Sequence, residues 1–135
     1  MASELPMGEL SLVAHTDLRL MQYHIVRLTG FSADLNGVEC SLCGAGLKPV
    51  GILQNAPNIN TAANVMVLGK SQVVVGAAAN IGDSWIADAN GHAIPMARGS
   101  WVGGQFYLAA ALSATPTGAE RSSVLVECLN PWWYA

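Results

Sequence analysis

Charge is what this chain has least of. Only 11% of its 135 residues are Asp, Glu, Lys or Arg, against about 25% in an average globular protein. The six basic residues, Arg19, Arg27, Lys48, Lys70, Arg98 and Arg121, are scattered, and the net charge is −3. No basic stripe is present to follow a phosphate backbone, so direct nucleic-acid binding is not expected. Long apolar runs are missing too. "VVVGAAANIG" and "FYLAAALSA" fall well short of the roughly 20 residues a membrane helix needs. The opening "MASELPMGELSLVAH" starts acidic and is only weakly apolar, unlike a secretion signal. Yet 52% of the residues are hydrophobic, and a soluble monomer normally exposes no apolar patch larger than a few hundred Å². The expectation is a cytoplasmically made oligomer or assembly component with no membrane partner.

Cysteine is scarce: Cys40, Cys43 and Cys128. A structural zinc site takes four ligands, usually as two cysteine pairs, and here only His15, His24 or His92 could complete one. A redox dithiol wants its first thiol at a helix N-terminus, whereas "GVECSLCGAG" reads as extended. Residues three apart on a strand point to opposite faces, which disfavours a Cys40–Cys43 disulfide. Buried reduced thiols are expected, with no metal and no cofactor.

What is present is period-two patterning with dense punctuation. "VMVLG" (65–69), "QVVVG" (72–76) and "VLVECL" (124–129) are short and β-branched, "MQYHIVRL" (21–28) and "PVGILQN" (49–55) also favour strands, and Gly, Asn, Asp, Pro and Ser fill the gaps. The length suits one domain, 1–135. The fold class expected is all-β: a small barrel or sandwich of short strands, with an extended N-terminal segment (1–18) and an aromatic C-terminal tail (130–135). "SELPMGELSLVA" and "QFYLAAALSA" are helical candidates by composition. The first reads equally as an arm carrying Leu5, Met7, Leu10, Leu12 and Val13, or as the first strand. A weak internal echo, Val50-Gly51 before Val65-x-Val67 and Val102-Gly103 before Val124-x-Val126, points to two similar hairpins.

Two motifs invite chemistry. "GKS" (69–71) resembles the end of a phosphate-binding loop, but Asn64 stands where the earlier glycine belongs and a strand follows where a helix should, so a tight hairpin turn is expected. In "NIGDSWIADANGHAIP" (80–95), Asp83, Asp88 and His92 could pass for a catalytic group. The "SWIAD" alternation and Gly91 at a positive-φ position read instead as a β-hairpin, with both carboxylates accepting turn N–H groups and His92 beside Asp88. No nucleophile or desolvated cleft accompanies them, and no enzyme is expected.

The order "PVGILQNAP", "NVMVLGKSQVVVGAAANIGDSWIADANGHAIPM", "SWVGGQFYLAAA", "SVLVECL" resembles small tailed-phage capsid decoration, or cement, proteins, a family sometimes mislabelled as recombinase-like. The resemblance covers residues 20–129. It implies a β-domain on the outer surface of a phage head, whose partners are the major capsid protein and copies of itself, as a trimer, and which reinforces capsid joints. Such a protein requires no active site. The candidate contacts are Leu10 and Leu12 in the N-terminal segment and Trp132, Trp133 and Tyr134 in the tail, since Trp and Tyr dominate interface hot spots. Two rival functions carry their own residues. A glycan- or receptor-binding module of a phage fibre or adhesin would expose Trp85 and Trp101, and a small enzyme would use His92 or His24 with Asp83 or Asp88.

Overall fold

The computed structural model describes residues 8–96 and, as backbone, 105–106, 109–111, 121–127 and 133–134, with the side chains of Val124 and Val126. Eleven strands are described: β1 (Gly8–Ala14), β2 (Ile25–Ser32), β3 (Gly37–Leu42), β4 (Gly51–Leu53), β5 (Ala62–Val74), β6 (Ser84–Ala87), β7 (Ala93–Pro95), β8 (Gln105–Phe106), β9 (Ala109–Ala111), β10 (Arg121–Glu127) and β11 (Trp133–Tyr134). No helix occurs among the described residues. The protein is all-β, as the patterning predicts.

Strand β5 organises the molecule. Its odd positions Ala63, Val65, Val67, Ser71 and Val73 are buried, while most even positions face outward. That unbroken period of two keeps one face on the core for thirteen residues. Its first half pairs antiparallel with β1 and with β4, and its second half with β10. The order β1-β3-β2-β4-β5, closed by the β1–β5 pairing, makes a five-stranded barrel. Beyond it the sheet continues through β10, β9, β6 and β7, and Ala93 of the last bridges to Val75, the residue just after β5. A separate pair, β8 with β11, lies outside this sheet. Closure leaves the barrel strands few free edges.

The structure departs from the sequence reading, or decides between its alternatives, at several places. Gly69-Lys70-Ser71 is not a hairpin turn: all three stay in register with β10, opposite Val126, Leu125 and Val124. Gly69 takes φ +124°, a conformation side chains resist, and the strand runs on through it with its register against β10 unbroken. Of the readings left open for the N-terminal segment, Gly8–Ala14 takes the first strand and not the helix, because β3 and β5 satisfy its backbone on both sides. Within the other helical candidate, Gln105–Phe106 and Ala109–Ala111 are strands, the latter despite its three helix-favouring alanines. Residues 21–24 form turns instead of opening β2, with Met21 and His24 N–H groups bonded to the carbonyls of Leu18 and Met21 and Tyr23 at φ 66°. β2 then runs on through Ser32, four residues past Leu28, where the expected strand ends.

Leu12, Ala14, Ile25, Val26, Cys40, Ile52, Leu53, Val65, Val73 and Trp85 belong to one continuous core. Trp85 is fully buried, and its indole N–H has no hydrogen-bond partner among the described residues. Burying a donor unpaired costs about 1–3 kcal/mol, so the ring is held there by its apolar bulk.

Candidate functional site

Asp83, Asp88 and His92 lie at the turns that lead into β6 and join it to β7. Asp88 Oδ1 accepts the N–H groups of Asn90 at 2.8 Å and His92 at 2.9 Å. Asp83 Oδ2 accepts the Asn80 N–H at 2.9 Å. Gly91, at φ 74°, reverses the chain. Both carboxylates are turn-capping acceptors, matching the sequence reading, and His92 Nδ1 sits 3.5 Å from Asp88 Oδ2.

One contact here was not legible in the sequence. The rings of His24 and His92 approach to 5.0 Å between centroids at 50°. His24 precedes β2, and the Gly91 carbonyl accepts the neighbouring Ile25 N–H at 2.8 Å. The histidines therefore meet where the hairpin turn docks on the barrel. Burial holds His24 below the ordinary imidazole value, helped by the charge of His92 and opposed by a carbonyl contact with Gln22 and the charge of Asp88. No three His, Cys, Asp or Glu side chains converge as metal ligands among the described residues.

Cys40 and Cys43 are free, fully buried thiols. Burial pushes both up to about 11, far from the thiolate a redox centre uses. The Cys43 thiol donates toward the carbonyls of Gly44 and Leu47. Cys128 lies outside the described residues. An open hollow beside Asp17, Arg19, Leu20 and Met21 offers no free charge from its ion pair: Arg19 Nη2 and Nε bond the Asp17 carboxylate at 2.7 and 2.9 Å. That pairing, led by the side-chain hydrogen bond, holds Asp17 below the usual carboxylate range.

The predicted contact residues separate. Leu10 is exposed, 42%. Leu12 is buried inside the barrel, opposite Ala63, and so belongs to the core of its own chain. Trp133 and Tyr134 place their backbone against Phe106 and Gln105. Trp132, Trp101 and residues 1–7 lie outside the described residues. Trp85, a candidate for glycan stacking, is enclosed in the core. What sequence reasoning did not single out is a group of exposed apolar side chains on the β2–β3 hairpin, Leu28, Phe31, Leu35 and Val38. Only Phe31, an aromatic among Thr, Gly and Ser, carried a signal.

The described residues form a small closed β-barrel extended by a second run of strands. Among solved structures its fold is similar to the head fiber gp8.5 N base of bacteriophage phi29, with a TM-score of 0.67, 15% sequence identity, and 90% of this chain and 95% of that chain covered. No protein-family model and no curated protein matches the chain.

Proposed function

We propose that this chain is a non-catalytic structural protein of a phage virion, which binds the outside of the head and stabilises joints between major capsid proteins. The observation that carries the reading is the fold it shares, over 90% of its length, with a bacteriophage head-fibre base. The order of sequence pieces resembling capsid decoration proteins supports the same reading. The capping roles of Asp83 and Asp88 are consistent with it, since these acids serve turns. A cement works by mass action, because contacts made only on the assembled, expanded shell favour that state over others.

The test is to mix the protein with DNA-filled and with emptied, expanded heads of its phage, then measure co-sedimentation and capsid melting temperature. Saturable binding that raises the melting temperature is expected. Absence of binding by folded protein would overturn the reading. The neighbour's being a fibre component favours one second reading, a receptor- or glycan-binding module of a fibre. Binding on a glycan array without binding to heads would establish that reading instead.

A further inference from the structure

The barrel is open and apolar at one end. In the β2–β3 ladder Leu28 stands opposite Cys40 and Phe31 opposite Val38, with a bulge between Leu28 and Gly30. Directly opposed residues share a face, and Cys40 lines the core, so Leu28, Phe31 and Val38 continue the barrel's inner face. The neighbouring strands do not follow. β4 pairs with β2 only at Ile25 and Val26, and β1 pairs with β3 only at Glu39 and Cys40. The far half of the hairpin therefore projects past the barrel with its interior-type side chains uncovered. Phe31 is 61% exposed and Leu28 49%, with Leu35 near the turn and Val38 also open. Leu10 lies on the inner face of β1, two residues before Leu12. The parallel alignment of Val13 with Glu39 brings it level with the same hairpin turn.

We propose that this end of the barrel is the contact between copies of the chain, with the Leu10, Leu28, Phe31, Leu35 and Val38 surface packing on its counterpart around a symmetry axis. Area is the first argument for a second copy. A fully free side chain of this size offers on the order of 150–200 Å², so the five together present roughly 400 Å² at their observed exposures. A standard interface covers about 800 Å² per partner, of which about 57% is apolar. The patch thus supplies the apolar part of one complete interface.

Charge is the second argument. Few charges flank the patch: Glu9 beside Leu10, Arg27 beside Leu28, Asp34 at the turn, and Glu39, which is held by His15 at 3.0 Å. A net charge of −3 opposes the approach of identical chains only weakly. A surface awaiting a shell would stay bare on the free protein, a hazard for a strand edge of this kind, whereas a second copy covers it from synthesis onward. The inference goes beyond head binding and is independent of it.

The test uses the whole chain in sedimentation equilibrium and light scattering, with no heads present. The wild type is expected as an oligomer, at a whole-number multiple greater than one of the 14.1 kDa chain mass. Phe31→Glu and Leu28→Lys should weaken assembly at least thirtyfold, with Phe31→Leu retaining it and circular dichroism unchanged. Leu35→Glu, at the exposed turn, serves if the strand variants misfold. A monomeric wild type at about 100 µM would overturn the proposal, as would assembly indifferent to these substitutions. A monomer whose variants lose head binding would overturn it in favour of the capsid as the covering partner.

Discussion

At the scale of single residues, Asp88 and His24 make separable demands. Asp88 accepts two backbone N–H groups of the turn that follows β6, so Asp88→Ala leaves both without that acceptor. The expected loss is about 1–2 kcal/mol in urea unfolding, because the turn is partly open to water. Binding to heads should persist in the folded variant; its loss would show that the carboxylate does more than cap a turn. His24 responds to pH. Its folded value lies below that of an unfolded chain, chiefly through burial, so the unfolded state takes up its proton first as pH falls. The His24 contribution is complete above about 6.5 and is lost as pH drops from there toward the depressed folded value. The neighbouring His92 ring, 5.0 Å away, acts on His24 in the same direction as burial, while Asp88 opposes it. The melting temperature should therefore fall between neutral pH and pH of about 5, and His24→Phe should reduce that fall. A wild-type profile flat over the interval would contradict the burial of a neutral ring.

At the scale of elements, β4 and β5 show what a sequence can and cannot disclose. The alternation of Ala63, Val65, Val67, Ser71 and Val73 is visible in the sequence, and it correctly gives strands with one buried face. The joining of two expected strands into one depends on whether Gly69 reverses the chain or carries it straight on, and a glycine at positive φ can do either. Only the register with β10 decides, through contacts more than fifty residues away in sequence. The turn around Asp88 was legible because its partners lie within four residues; the His24–His92 contact and the exposed β2–β3 end were not, because they depend on which strands stop short beside them. Gly51 marks the tightest of these long-range approaches. A Cβ there would collide with the Met66 carbonyl oxygen and sit 2.8 Å from Val65 Cγ1, where β4 pairs with β5. Backbone cannot yield as a flexible side chain does, so Gly51→Ala should cost at least about 2–3 kcal/mol in denaturant unfolding. Gly69→Val should cost about 1–3 kcal/mol by forcing a β-branched residue to φ +124°. A neutral result at Gly51 would mean that β4 moves away from β5 without disturbing barrel closure.

For the whole molecule, the scarcity of charge and the closed barrel bear on the same question of how the protein makes contacts. Nine acidic and six basic residues on a 135-residue chain leave little to be screened, and one basic residue, Arg19, is already engaged with Asp17. If apolar surface carries both self-association and head binding, simple salt acts weakly on each. Raising sodium chloride from about 50 to about 500 mM should change either dissociation constant by no more than about threefold. Sodium sulfate, excluded from protein surface, should tighten both. Sedimentation across the two salts separates the mechanisms, because contacts built on ion pairs would weaken steeply in chloride and would not recover in sulfate. Such weakening confined to head binding would locate the shell contact on a charged surface away from the Phe31 end. The same weakening in self-association would contradict an apolar contact between copies.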